Sequence, residues 1–312
     1  MVRLLLKNGH KVSVLDDLST GHEKFIPEGV FLLQTDLLYK DIVTTFLKSQ
    51  KFDAVIHFAA KSLVGESVED PDMYYVNNVI GTHNLLTAMR EANVDKLVFS
   101  STAATFGNPV SELIDESHPQ NPINPYGQTK LAVERMLADY ATAYGVKSVS
   151  LRYFNAAGAD PSAEIGEDRD PETHLIPNIL RSCLQSDNAK QLKVFGDDYD
   201  TPDGTCVRDY IHVNDLSDAH LRAIHLMEGT DGAHAFNLGN GSGFSVLEVI
   251  SAAEKVVGSN IPYEIVARRA GDPAVLVADS ARARDVLDWT PQYTDIESIV
   301  ETAWAWHKLC HA

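Results

Sequence analysis

The chain has 312 residues, with 44 Asp and Glu against 26 Lys and Arg, for a formal net charge of −18 at pH 7. That charge repels phosphate backbones, and without a local basic patch it argues against nucleic acid as a partner. No run approaches the ~20 apolar residues of a membrane span, and the first residues lack the zones of a secretory signal, so the expected compartment is the cytoplasm. Cys183, Cys206 and Cys310 form no Cys-x-x-Cys pair, which points to structural thiols and to no metal site.

Residues 1–17, MVRLLLKNGHKVSVLDD, read as an apolar half-helix stopped at Asn8-Gly9, a strand over 11–15 and two aspartates. An acidic residue closing the second strand of a dinucleotide-binding unit accepts hydrogen bonds from the adenosine ribose and repels a 2′-phosphate. Asp16 suits that role and favours NAD over NADP; the plain alternative is that Asp16 and Asp17 open a surface loop. Further strands are expected over 30–33, 53–59, 96–101 and 147–153, short apolar runs suited to the buried centre of a parallel sheet. Between them, 39–50, 72–92 and 126–144 carry helical spacing, and the alternation predicts an α/β fold with a doubly wound parallel sheet.

Two stretches of this half carry chemistry. In KLVFSSTAATFG (96–107) an apolar strand runs into three hydroxyl residues. At the carboxyl end of a parallel strand they would lie where such sheets bind ligands, so Thr102 could bond a sugar hydroxyl or the carbonyl formed from it. A Ser/Thr turn is the structural alternative. In NPYGQTK (124–130) Pro125 can open a helix, placing Tyr126 in its first turn and Lys130 one turn further on the same face. A phenol titrates near ~10, and an ammonium held close favours the phenolate, drawing the tyrosine toward use as a base. An ordinary amphipathic helix would show the same spacing.

Beyond residue 156 two polar loops, GADPSAEIGEDRDPETH and FGDDYDTPDGT, lie between apolar segments and are expected to build a site. A helix over 213–227 and a strand over 234–239 resume the sheet pattern. The expected division is a Rossmann-like domain over 1–156, to which 207–240 returns, and a smaller C-terminal lobe over 157–312 packed directly onto it.

Taken in order, HFAAKSLVGESVEDPDMYYVNNVIGT (57–82), SSTAATFG (100–107), NPYGQTK (124–130), LRYFNAAGA (151–159), VRDYIHVNDL (207–216) and NLGNGSGFSV (237–246) resemble the extended short-chain dehydrogenase/reductase superfamily and, within it, the UDP-glucose 4-epimerases. The resemblance covers nearly the whole chain. It implies that Tyr126 takes the proton from the sugar 4-hydroxyl, that Thr102 bonds the same oxygen, and that Lys130 lowers the tyrosine pKa and binds the nicotinamide ribose. Hydride passes from C4 to bound NAD and returns to the opposite face of the 4-keto sugar.

The same resemblance assigns a cofactor cradle. Asp16, Asp17, Leu18, Ser19, Thr20 and Gly21 would hold the adenosine ribose, and Asp36 and Leu37 the adenine. Phe58, Ala59, Ala60, Lys61 and Ser62 would run along the diphosphate and ribose, with Lys61 or Ser62 reaching it where some relatives have a lysine at 62. Asn77 and Phe154 complete the nicotinamide side. For UDP-glucose or UDP-galactose it points to Asn155, to His174 and Leu175, to Val194 and Phe195 at the uracil, and to Arg208, Arg269 and Asp272. Planar arginine forks suit a diphosphate.

Ala103 and Ala104 stand where 4,6-dehydratases of this pattern carry an Asp-Glu pair, which argues for oxidation and re-reduction without elimination. Leu276, at the position that gates the sugar's C2 substituent, suggests a preference for the non-acetylated sugars. Helices 72–92 and 126–144 match those that form a four-helix-bundle homodimer in the family; their apolar residues could equally face the sheet. In the superfamily a first strand and a G-x-x-G-x-x-G turn precede the segment matched by residues 2–17. On that basis the chain starts about ~15 residues late, at an internal methionine, and the sheet is expected to show a gap or an exposed interior edge. A chain that binds nucleotide sugar without turnover is the rival reading.

Overall fold

The computed structural model describes residues 1–184, 191–269 and 272–310. Helix α1 (Val2–Lys7) stops at Asn8, and Gly9 follows at φ +80, a conformation that costs glycine little. Strands β1 (Ser13–Asp16) and β2 (Phe31–Gln34) pair in parallel. Helix α2 (Lys40–Ser49) buries Val43, Thr44 and Leu47, and β3 (Val55–His57) follows. The segment expected as one helix over 72–92 is built in three parts after α3 (Val64–Glu69): α4 (Pro71–Tyr74), a π-helical stretch Tyr75–Ile80, and α5 (Gly81–Glu91). Then come β4 (Lys96–Thr102), the short β5 (Leu113–Ile114), α6 (Pro125–Tyr144), β6 (Lys147–Tyr153) and β7 (Asn155–Ala157).

The second half runs α7 (Leu175–Leu184), β8 (Leu192–Phe195), β9 (Val207–Arg208), β10 (Tyr210–His212) and α8 (Val213–Gly229). It continues with β11 (Ala233–Leu238), β12 (Phe244–Ser245), α9 (Val246–Val257), β13 (Tyr263–Val266), β14 (Val275–Ala278), α10 (Ala281–Leu287) and α11 (Ile296–Cys310).

The main sheet has the order β11-β6-β4-β3, all parallel. On one face α8 lays Leu216, Ala219, Ala223 and Met227 against Val98, Val149, Leu151 and Phe236. On the other, α2, α5 and α6 bury Val43, Leu86, Met89, Val133 and Leu137 against Leu97 and Phe99. Helices on both faces of a parallel sheet make the doubly wound arrangement, and each fully buried Leu or Met contributes roughly 1.5–3 kcal/mol. The β1-β2 pair forms a sheet of its own; among the described residues no strand lies hydrogen-bonded between β1 and β3.

A second core joins α7, α9 and α11 through Ile179, Leu180, Val249, Ile250, Ile299 and Val300. Two seams tie it to the first. Parallel β10 pairs with β7 just after the main sheet's β6, and β14 bridges β9 and β5. Among the described residues no helix is long and apolar enough to cross a membrane.

Candidate active site

One cleft of about 2430 Å³ runs along the carboxyl ends of β1, β3 and β4 and on between the two cores. It is lined by every candidate catalytic, cofactor and substrate residue named from the sequence except Leu18. Leu18 instead takes a left-handed turn at φ 58, its N–H held by Asp16 Oδ1 at 2.7 Å. Gly21 packs against the Asp16 carboxylate, where an added Cβ would lie 3.4 Å from Oδ1, an ordinary contact. Asp36 similarly caps its own turn through Leu38 N–H at 2.8 Å.

The chemical centre is where α6 starts. Asn124 caps the helix by accepting the Gly127 N–H at 2.8 Å, and Pro125 opens it. Gly127 is required by close approach, because a Cβ there would come within 2.3 Å of the Ala104 carbonyl. Tyr126 is thereby set beside the end of β4. Its hydroxyl hydrogen-bonds with Thr102, whose Oγ1 also accepts the Ala104 N–H at 3.2 Å. Thr102 thus caps the turn and lines the cleft beside Tyr126. Lys130 is buried, its Nζ donating to the Ser100 carbonyl at 2.8 Å and lying 6.0 Å from the Tyr126 ring centroid.

The electrostatics differ from the expectation for Tyr126. Burial pushes its phenol up to about 12, with the Thr102 bond only partly offsetting this. Burial draws Lys130 itself down to about 7, and the negative charge of Glu134 opposes that shift. His57, at the end of β3 and bonded to Thr82 Oγ1 at 2.8 Å, falls to about 3 through burial first and then Lys130.

The π-helical stretch has a cause at this site. It turns Asn78 inward, where Oδ1 accepts the Lys61 N–H at 2.8 Å and Nδ2 donates to the Lys61 carbonyl and to Thr129 Oγ1, both at 3.0 Å. Thr129 Oγ1 in turn donates to the Tyr126 carbonyl at 2.8 Å. Asn78 thus locks the Phe58–Ser62 wall to the Tyr126 turn, and Asn77 Nδ2 donates to its Oδ1 at 3.0 Å. The Phe58 ring faces His220 at 4.7 Å, while Phe154 and Leu276 pack on Ala103, Phe106 and Ile114.

At the far end of the cleft Arg208 donates to the carbonyls of Val207 and Pro273 at 2.8 and 2.9 Å, and lies 3.7 Å from Asp272. Arg269 donates to Asp272 at 3.0 Å and stands over the Phe195 ring at 4.8 Å. Val194 is buried beneath, and Asn155 bonds the Asp209 carbonyl through both its N–H and its Nδ2. His174 contacts Glu167 at 2.5 Å, and its N–H is held by Glu172 at 2.9 Å. These three could gather ligand atoms, but Arg169 lies 3.2 Å from Glu167 and Arg181 3.6 Å from Glu172, and both oppose a cation.

Several contributors were not singled out from the sequence: Tyr153, whose hydroxyl bonds Ser100, Asn78, and the buried set Ser101, Glu134 and Arg152. A signal for the last existed. Glu134 repeats the four-residue step from Tyr126 to Lys130, and Arg152 is a charge inside the apolar strand KSVSLRY.

Residues 1–239 match the family model described as the NAD dependent epimerase/dehydratase family. The UDP-glucose 4-epimerase of Halalkalibacterium halodurans is 52% identical over 307 residues, 98% of this chain and 91% of that protein. The crystal structure of UDP-glucose 4-epimerase from Brucella ovis in complex with NAD superposes with a TM-score of 0.93 at 46% identity, covering 97% of this chain and 92% of that one. The enzyme from Bifidobacterium longum in complex with NAD+ and UDP gives a TM-score of 0.92 at 37% identity, covering 98% and 93%.

Proposed function

This chain belongs to the NAD dependent epimerase/dehydratase family, and we propose that it is a UDP-glucose 4-epimerase, interconverting UDP-galactose and UDP-glucose with NAD held in the cleft. One observation carries this reading: Tyr126, bonded with Thr102, and the buried Lys130 open onto the same cleft as Arg208 and Arg269, and two alanines follow Thr102. The cradle suits a dinucleotide. Asp16 faces the cleft from the end of β1, and the Phe58–Ser62 wall is braced by Asn78.

When bound, NAD supplies the hydride acceptor and a positive charge. The protein's part is proton transfer and orientation. Tyr126 accepts the proton of the sugar 4-hydroxyl while Thr102 holds the same oxygen, and Tyr126 gives the proton back when the 4-ketone is reduced. Lys130, donating to the Ser100 carbonyl, is placed to bond the nicotinamide ribose and to favour the phenolate. Ala103 and Ala104 offer neither acid nor base, so the hydroxyls elsewhere on the ring stay in place. Arg208 and Arg269, steadied by Asp272, meet the diphosphate, with Phe195 and Val194 for the uracil.

The reading extends to a division into 1–156 and 157–312, a cytoplasmic enzyme, and a homodimer through 72–92 and 126–144. Exposed Tyr75 and Ile80 support the last, and monomeric light scattering at micromolar concentration would defeat it. With Leu276 at the sugar pocket, UDP-glucose and UDP-galactose are the preferred pair over N-acetylated sugars. Equal or faster turnover of the acetylated pair would reverse that preference. The principal test is release and assay of bound NAD together with UDP-galactose turnover. A folded, NAD-loaded protein without turnover would overturn the function. A binding-only role finds no support in relatives that are themselves epimerases.

A further inference from the structure

Tyr126, Lys130 and Glu134 follow one another at four-residue steps on α6 and share a face of the helix. The first meets Thr102 and the second the Ser100 carbonyl. The third accepts the Ser101 hydroxyl on Oε1 at 2.5 Å, so three consecutive residues of β4 are each engaged by this one face. Glu134 is held in turn by Arg152 of β6, with Nε 2.9 Å from Oε1 and Nη2 2.5 Å from Oε2, and by Gln120 Nε2 at 3.2 Å. The two charged side chains of this pair are 7% and 8% exposed.

A buried ion pair is costly to desolvate and is weak support for stability by itself, so its presence under a reactive lysine asks for another account. The groups that face Lys130 supply it. Tyr126 on α6 and Tyr153 on β6 are both raised by burial and stay neutral through the physiological range. His57 on β3 is lowered to about 3 and stays neutral too, and Phe99 of β4 presents only its ring, 4.8 Å from Nζ. The charged group that acts on Lys130 is Glu134, itself paired with Arg152. Glu134 is the negative charge that opposes the burial of Lys130, and even with it in place the lysine is drawn down to about 7.

We propose that Glu134 is a positioning residue for the reaction: clamped by Arg152 and Ser101, it is the buried counter-charge that keeps Lys130 an ammonium aligned on the Ser100 carbonyl. This rests on the epimerase reading for why the ammonium matters, but not for whether it is held. Arg152 has the complementary part. It fixes the carboxylate one helical turn from Lys130 and prevents it from forming a direct pair that would pull the ammonium away from β4.

The test follows the lysine itself. In protein labelled with ¹³C at lysine Cε, the Lys130 signal, assigned by its loss in Lys130→Met, is titrated by NMR in the wild type, in Glu134→Gln, and in Glu134→Gln/Arg152→Gln. The double variant leaves no lone buried charge and guards against misfolding of the single one. Both variants are expected to lower the Lys130 midpoint by about one pH unit, the scale of a charge at helical-turn distance. The alkaline limb of the kcat profile should move by the same amount. An unchanged midpoint in both folded variants overturns the proposal, as does a loss of kcat that is uniform with pH. Absence of turnover in the wild type with the midpoint shift intact would sink the epimerase reading and leave the counter-charge standing.

Discussion

Tyr126 and Lys130 are pushed by burial in opposite directions, the phenol up to about 12 and the ammonium down to about 7. The resting phenol is therefore neutral near pH 7 while Lys130 is poised between its two forms, and the positive charge that NAD adds would favour the phenolate. Removing the hydroxyl in Tyr126→Phe should cut kcat by roughly 10²–10⁴-fold, the usual worth of a general base, with bound NAD retained on release and assay. Buried histidines set the acid limit of the fold. His57 is lowered to about 3 and His220 to about 4, each chiefly by burial. Folded values below the unfolded one mean that stability is complete above pH ~6.5 and is lost as pH falls, because only the unfolded chain takes up the proton. Each such histidine costs about 2 kcal/mol between pH 6.5 and 5. Glu116 and Asp209, raised by burial, act in the opposite sense over the carboxylate range. His57→Gln should flatten the fall in denaturation midpoint between pH 7 and 5; an unchanged slope would refute that assignment.

At the scale of elements, the start of α6 is the part that geometry constrains most. The Asn124 cap and the bare Cα of Gly127 together decide where Tyr126 sits against the Ala103–Thr105 turn. Asn124→Ala should cost about 1 kcal/mol of stability, the usual worth of an N-cap. Gly127→Ala, which forces a methyl to within 2.3 Å of a carbonyl oxygen, should move the helix start and lower kcat at least tenfold with KM little changed. Chemical denaturation and steady-state kinetics on the two variants separate these effects; a Gly127→Ala enzyme with wild-type kcat would show that the approach is not needed. The helix over 126–144 was legible because Asn124-Pro125 at its start and Gly145 at its end are local signals, Gly145 taking φ 69. The π-helical stretch at Tyr75–Ile80 was not, since its cause is Asn78 reaching Lys61 and Thr129, partners distant in sequence.

Across the whole molecule, the two cores meet over the cleft through the β10-β7 and β14-β5 pairings and through a clasp at its mouth. There Lys24 reaches Asp168 at 3.0 Å, and the Phe25 ring packs edge-on against Trp306 at 5.6 Å. The segment after Asp16 is thereby tied to the loop that leads to His174. Phe25→Ala should loosen both ends at once, lowering the fraction of protein that retains NAD and raising KM for the nucleotide sugar. An effect on one end alone would refute the coupling. Arg208→Ala, by contrast, should raise KM for UDP-galactose at least tenfold and leave NAD content unchanged, because it lies at the far end of the cleft and, among the described residues, bonds Val207, Pro273 and Asp272 there.

The sequence by itself determined the alternation of strands and helices, the Tyr126–Lys130 spacing, and the order of the six blocks that resemble an epimerase. Periodicity, caps and turns act over a few residues, so they are written locally. It also pointed to Thr102, because a hydroxyl at a strand's carboxyl end has a place in any parallel sheet. The tertiary structure alone decided the state of the groups at the centre. Lys130 points to the Ser100 carbonyl, Tyr126 is raised where the spacing suggested it would be lowered, and Glu134 is locked to Arg152. Burial and the low dielectric that follows from it are sums over neighbours brought from every part of the chain, and no local pattern encodes that sum.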